Sequence, residues 1–131
     1  MIGLDTNVLL RYLVQDDLAQ LRKAAECIEQ RLTKSNPGFI SVVVMVETVW
    51  VLEQVYSFAN DQIIAAIKRI LQIDVFLIEH RLAIYVAMVA LKQRRGSFAD
   101  ALIGAINRRA GCSRTVTFDR KALRLPGFEL P

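Results

Sequence analysis

The sequence predicts an α/β fold: a central, mostly parallel sheet of about five strands with helices on both faces. Three observations carry that expectation. Short apolar runs alternate with longer stretches of helical spacing, the alternation continues from end to end without repeats or low-complexity tracts, and 131 residues at 53% hydrophobic content suffice for one such core.

Taken in order, residues 2–4 read as a short buried strand. Residues 17–33 read as a helix, because Leu18, Leu21, Ala25, Ile28 and Leu32 recur at helical spacing, with Asp16 or Asp17 as N-cap. After the turn Asn36-Pro37-Gly38, Phe39-Ile40 forms a second strand and Ser41 is placed to cap a helix over 42–56. The β-branched run that opens this helix fits an extension of the strand equally well. An amphipathic helix over 61–71, a strand over 75–78 and a helix over 80–95 closed by Gly96 follow. Ser97 opens a helix that ends near Gly111, residues 115–118 read as a strand, and 128–130 as a short last one.

At this length a second core would leave both halves below independent stability, so a single domain over residues 1–131 is expected. The mean hydropathy of +0.32 predicts apolar surface in addition to a core, of the kind that a partner or a second copy covers. No apolar stretch approaches the ~20 residues that span a bilayer. The longest, 42–52 and 83–91, are short, and the first contains Glu47. Met1-Ile2-Gly3-Leu4-Asp5 has no basic region followed by an apolar segment, so no secretory signal is read, and a cytoplasmic location without membrane association is expected. Cys27 and Cys112 lie far apart and outside any C-x-x-C or Cys/His cluster, which argues against a disulfide framework and a zinc site and for two buried thiols.

In an open parallel sheet the ligand site forms beyond the carboxyl ends of the strands. Asp5 follows the first strand directly and Asp119 follows the strand over 115–118, so both are expected at that edge; each also fits an ordinary cap or turn former. Glu47, with Val43, Val44, Trp50 and Val51 as helical neighbours, points off an apolar face. An ionised carboxylate buried there needs a partner, or else must reach solvent at an edge. Asp100 lies in Ser97-Phe98-Ala99-Asp100, which matches capping-box spacing with Asp in place of Glu. The small residues Ala99, Ala101, Gly104 and Ala105 would let its helix approach the sheet closely.

Four segments together carry a resemblance: Leu4-Asp5-Thr6-Asn7-Val8-Leu9, Glu47-Thr48-Val49-Trp50-Val51-Leu52 after Ser41, Phe98-Ala99-Asp100-Ala101-Leu102-Ile103, and Thr117-Phe118-Asp119-Arg120. In this order and at these separations, over almost the whole chain, they resemble the PIN domains, and among them the VapC-like toxins of bacterial type II toxin-antitoxin modules. The resemblance implies a PIN-like three-layer fold and a metal-dependent endoribonuclease leaving 5′-phosphate and 3′-hydroxyl ends. It matches Asp5, Glu47, Asp100 and Asp119 to the family's four acidic positions and Thr6, Asn7 and Thr117 to supporting polar neighbours. It further implies an RNA substrate, an antitoxin partner and a homodimer.

The chemistry of such a cluster is restrictive. Two carboxylates ~4 Å apart repel by roughly 4 kcal/mol at an effective dielectric of about 20, so converging acids must protonate or bind cations. Their hard oxygens, with His80 and the cysteines outside the set, select Mg²⁺ or Mn²⁺ over zinc. Charge adds an independent line. Lys92, Arg94, Arg95, Arg108, Arg109, Arg114, Arg120, Lys121 and Arg124 crowd one window whose only acids are Asp100 and Asp119. Such a field suits a phosphodiester, with Arg94, Arg95, Arg120 and Lys121 as RNA-binding candidates, although cations at helix ends also complement the dipole. Phe98, Phe118 and Phe128 can stack on bases, but core packing is the expected role. Two rivals stand beside this reading. A receiver-type phosphoacceptor domain needs paired acids near the first strand, and Asp5-Thr6-Asn7 has none. A non-catalytic RNA-binding or protein-interaction module would keep the fold and lack cleavage.

Overall fold

Strand β1 (Ile2–Gly3) lies parallel beside β2 (Gly38–Ile40), and β2 lies parallel beside β3 (Phe76–Ile78), with Gly3 opposite Phe39 and Ile40 opposite Ile78. In the computed structural model, which describes all 131 residues, these strands belong to the first of two compact units, Met1–Glu79; the second is His80–Pro131.

The first unit returns from β1 to β2 through helices α1 (Thr6–Leu13) and α2 (Leu18–Glu26) and a π-helical segment, Cys27–Arg31. Asp17 accepts the Gln20 N–H at 3.1 Å and so caps α2 as expected. The expected helix over 17–33 thus divides into an α and a π portion, and Leu32 N–H closes the latter on Cys27 O. Helix α1 is an addition to the sequence reading, which carries no helix between residue 4 and residue 17. Asp5 caps it, and Leu9 and Leu10 bury its inner face.

From β2 to β3 the chain passes through α3 (Val42–Gln54) and α4 (Asn60–Leu71). The ambiguity at Val42 resolves as helix, for two reasons. Ser41 Oγ accepts the Val44 N–H at 3.2 Å, and Glu79 Oε1, from the end of β3, accepts the Val42 N–H at 2.9 Å. Two donors orphaned at the helix start are thereby satisfied, one of them by a residue 37 positions away. Met45, Leu52, Ile63, Ile67 and Ile70 fill the core, each fully buried apolar side chain contributing about 1.5–3 kcal/mol.

The second unit opens with His80 in the left-handed region (φ 52°), followed by α5 (Arg81–Lys92), α6 (Phe98–Arg109), β4 (Thr115–Val116), a 3₁₀ helix Arg120–Arg124 and β5 (Phe128–Glu129). Gly96 does not supply the left-handed residue that closes α5; Arg94 does, at φ 54°. Gly96 is small for a different reason, since a Cβ there would lie 3.0 Å from Leu125 Cδ1. On α6 the small residues act as expected. Ala101, Gly104 and Ala105 are buried, and a Cβ on Gly104 would meet the Phe128 ring at 2.5 Å. This helix therefore seats directly on β5.

The chain is α/β, and every strand pairing is parallel. The five strands are hydrogen-bonded as a three-stranded set, β1-β2-β3, and a two-stranded set, β4-β5, rather than as one ladder. Three of them are only two residues long, too short to offer many ladder bonds. No helix is long and apolar enough to cross a membrane. Both cysteines are free and neither is fully buried: Cys27 is half-buried, and Cys112 is exposed, following Gly111 (φ 101°) in the turn after α6.

Candidate active site

Each unit holds two of the four acids. In the first, Asp5 stands between β1 and α1 with extended backbone (φ −87°, ψ 161°), and its Oδ1 accepts the Thr6 N–H at 2.8 Å. The capping role is therefore real. It occupies one carboxylate oxygen and leaves Oδ2 toward solvent, where Asp5 is exposed. Asn7, also exposed, lines a concavity of about 440 Å³ with Arg11, Gln20 and Lys23.

Of the two readings open at Glu47, burial beside a partner or a position that reaches solvent, the structure shows the second. The face of α3 that packs inward is Met45, Thr48, Val49 and Leu52, while Glu47 lies on the opposite, solvent-facing side with Val43 (71% exposed) and Trp50 (58%). The apolar face is surface, so its carboxylate keeps its hydration and needs no buried counter-ion. Val42, Val43, Val46 and Trp50 line a shallow concavity around it.

Two hydroxyls in this unit are buried without a hydrogen-bond partner: Thr6 Oγ1 and Thr48 Oγ1. Each directly follows one of the acids. Thr48 is 0% exposed and forgoes the bond to the i−4 carbonyl that a mid-helix threonine ordinarily makes. Leaving such a group unpaired costs about 1–3 kcal/mol.

In the second unit, Ser97 Oγ accepts the Asp100 N–H at 3.1 Å. Only half of the capping box forms. The Asp100 side chain is one methylene shorter than Glu and does not return to the cap, so both of its oxygens remain uncommitted at a half-buried position. Asp119 is exposed and caps the 3₁₀ helix by accepting the Lys121 N–H at 2.9 Å on Oδ1. Its own N–H donates to Thr117 Oγ1 at 3.0 Å. Arg94, Arg95, Arg120 and Lys121 are all exposed and take part in no ion pair.

The three phenylalanines part company. Phe98 is buried and Phe128 packs on Gly104, as core residues do, but Phe118 is 86% exposed. Its expected core role is overturned. The cause lies at the end of β4: the expected strand over 115–118 stops at Val116, and beyond it Thr117 stays partly inward while Phe118 sits in the bend before Asp119 and faces solvent. Period-two spacing identifies two faces without saying which of them is buried.

Within each unit, no group of three or more His, Cys, Asp or Glu side chains stands together as a metal site. The donor chemistry nevertheless fits a hard divalent cation. All four acids have at least one oxygen free of hydrogen bonds and none is held in an ion pair, while the buried Thr6 hydroxyl beside Asp5 lacks a partner.

Comparison with known proteins adds two findings. A family model described as PIN domain matches residues 2–127, a span that contains all four acids. The VapC ribonuclease of Aquifex aeolicus (strain VF5) is similar over 126 residues at 28% identity, which covers 96% of this chain and 92% of that protein.

Proposed function

The chain belongs to the PIN domain family, and on that premise we propose that it is a metal-dependent endoribonuclease acting as the toxin of a toxin-antitoxin pair. The observation that carries this reading is a family match that spans both units and contains four acids, each with at least one carboxylate oxygen free of hydrogen bonds and none held in an ion pair. Similarity to a protein named VapC ribonuclease over nearly all of both chains supports the same activity and the toxin assignment.

In this reading residues 1–131 act as one nuclease domain, and Mg²⁺ or Mn²⁺ would draw its ligands chiefly from Asp5 and Asp100, and from Glu47 and Asp119 besides. When bound, the ion supplies Lewis acidity toward the phosphate and lowers the pKa of an attacking water. The protein's own residues do the rest. The caps at Asp5 and Asp119 each fix one carboxylate oxygen and aim the other. Thr117 anchors the Asp119 turn, and Thr6 and Asn7 supply polar groups beside Asp5. Arg94, Arg95, Arg120 and Lys121 attract the RNA backbone from the solvent side. The exposed apolar residues, Val43 and Trp50 in one unit and Leu82, Tyr85 and Val86 in the other, suit an antitoxin and a second copy of the chain in a cytoplasmic complex.

RNA cleavage measured against Mg²⁺, Mn²⁺ and EDTA tests the reading, with wild type compared with Asp100→Asn. Cleavage that needs the ion and is lost in the variant is the expected result. A folded, pure chain that binds RNA and never cuts it would point instead to the non-catalytic module.

A further inference from the structure

We infer that Phe118 is a stacking platform for a base of single-stranded RNA, presented by the same turn that orients Asp119. The inference rests on the nuclease reading and deepens it by naming how the substrate is gripped beside one of the acids.

Phe118 lies between two residues that hold each other. The bond from the Asp119 N–H to Thr117 Oγ1 closes a tight turn around it, and the Lys121 N–H bond to Asp119 Oδ1 closes the next turn around Arg120. A backbone tied on both sides of Asp119 sets the direction in which Phe118 leaves the chain, and its ring is 86% exposed, the highest of any large apolar side chain. The segment is also anchored from behind. Thr117 N–H donates to Glu129 O at 2.9 Å, in continuation of the parallel pairing of β4 with β5.

A phenylalanine held out in water forfeits the burial that ordinarily justifies an aromatic side chain. Its surroundings identify what recovers that loss. Around it the chain carries Asp119, Arg120, Lys121 and Arg124, and the exposed apolar residues of the two adjoining segments are Val116 and Leu130. A protein interface centred on Phe118 would set it among other apolar groups and deplete charge. A single aromatic ring flanked by unpaired cations is instead the pattern that receives a nucleotide. The ring takes the base by stacking, and Arg120 and Lys121 take the phosphates on either side. Bases of a duplex are stacked already, so the platform selects unpaired RNA. Phe118 touches the base and not the reacting phosphate, which makes it a substrate-positioning residue.

Two labelled probes of equal length test this by fluorescence anisotropy in EDTA: a mixed-sequence single-stranded RNA, and a ribose-phosphate oligomer lacking every base. Wild type should bind the RNA roughly 5- to 150-fold more tightly than the baseless oligomer, the range that one stacked base contributes. Phe118→Ala should bring that ratio close to one while leaving affinity for the baseless oligomer unchanged. Phe118→Trp should preserve the ratio, and Phe118→Leu, which keeps apolar volume without a π face, should not. Because the ring is exposed, none of these variants should change the Tm. With Mn²⁺ present, Phe118→Ala should raise KM more than it lowers kcat. An unchanged ratio in Phe118→Ala, or a Leu variant that equals wild type, overturns the inference while leaving the nuclease reading standing. Loss of binding to a partner protein with RNA discrimination intact overturns it too. Should wild type neither bind RNA nor cleave it, the inference falls together with the nuclease reading.

Discussion

Asp119 donates its backbone N–H to the hydroxyl of Thr117 at 3.0 Å, so the carboxylate of one candidate ligand is steered by a side chain two residues before it. Removing that acceptor leaves the turn to sample other conformations. Thr117→Val should weaken Mn²⁺ binding roughly 10- to 100-fold, the usual cost of losing a group that orients a ligand, and Thr117→Ser should restore it. Calorimetric titration with Mn²⁺ checks this. A Val variant that titrates like wild type would limit Thr117 to shaping the loop.

Asp5 has two roles that substitution can separate. Asparagine caps a helix about as well as aspartate, so Asp5→Asn should keep the bond from the Thr6 N–H and leave the Tm unchanged while cleavage falls on the order of 100-fold or more. Asp5→Ala should lose the same activity and about 1 kcal/mol of stability besides. Chemical denaturation of both variants alongside the cleavage assay reads the two effects. Equal stability of the two variants would mean that the cap contributes nothing.

Thr48 offers a prediction of opposite sign. Its hydroxyl is fully buried and unpartnered, and valine has nearly the same shape without the polar group. Thr48→Val should therefore stabilise the protein by about 1 kcal/mol, seen as a higher denaturant midpoint at unchanged slope. A destabilised variant would reveal that the hydroxyl has a partner in solution, such as an internal water.

Tyr12 should set part of the alkaline limit of stability. Burial, and then the hydrogen bond it donates to Glu29 Oε1 at 2.9 Å, raise its pKa above the ordinary 10.0, and Arg69 over its ring opposes them only in part. A group whose folded pKa is raised stabilises fully below its unfolded pKa, and that stabilisation is lost as pH rises through the folded value. Wild type should thus lose stability more steeply than Tyr12→Phe as pH rises through and beyond about 10, with parallel profiles at neutral pH. Unfolding curves across that range decide it, and identical alkaline slopes would remove Tyr12 from the account.

Much of the fold could be read directly from spacing and punctuation. The helix capped by Ser97, the one capped by Asp17, the strand at Phe39-Ile40 and the parallel α/β class follow from local patterns, because caps and periodicity act within a few residues. Helix α1 is short enough that a strand and an acidic motif mask its eight residues, although Asp5 and the pair Leu9 and Leu10 carry the signal. The four acids were legible as residues because motif order survives in a chain read linearly. Their environments were not. Asp5 and Asp119 are caps and ligand candidates at once, and Asp100 leaves its capping box half formed.

By itself, then, the sequence determined the α/β class, the identity of the candidate ligands and the hard-oxygen chemistry they offer, since these depend on residue type and local spacing. Tertiary structure decided between strand and helix at Val42, by adding the distant Glu79 carboxylate to the local Ser41 cap, and it decided that the apolar face around Glu47 is surface. It also decided that β4 ends at Val116 and that Phe118, just beyond it, faces outward. For the two surfaces the physical reason is the same. Periodicity defines faces, but which face loses its water depends on what packs against it, and that partner is supplied by residues far away in the chain.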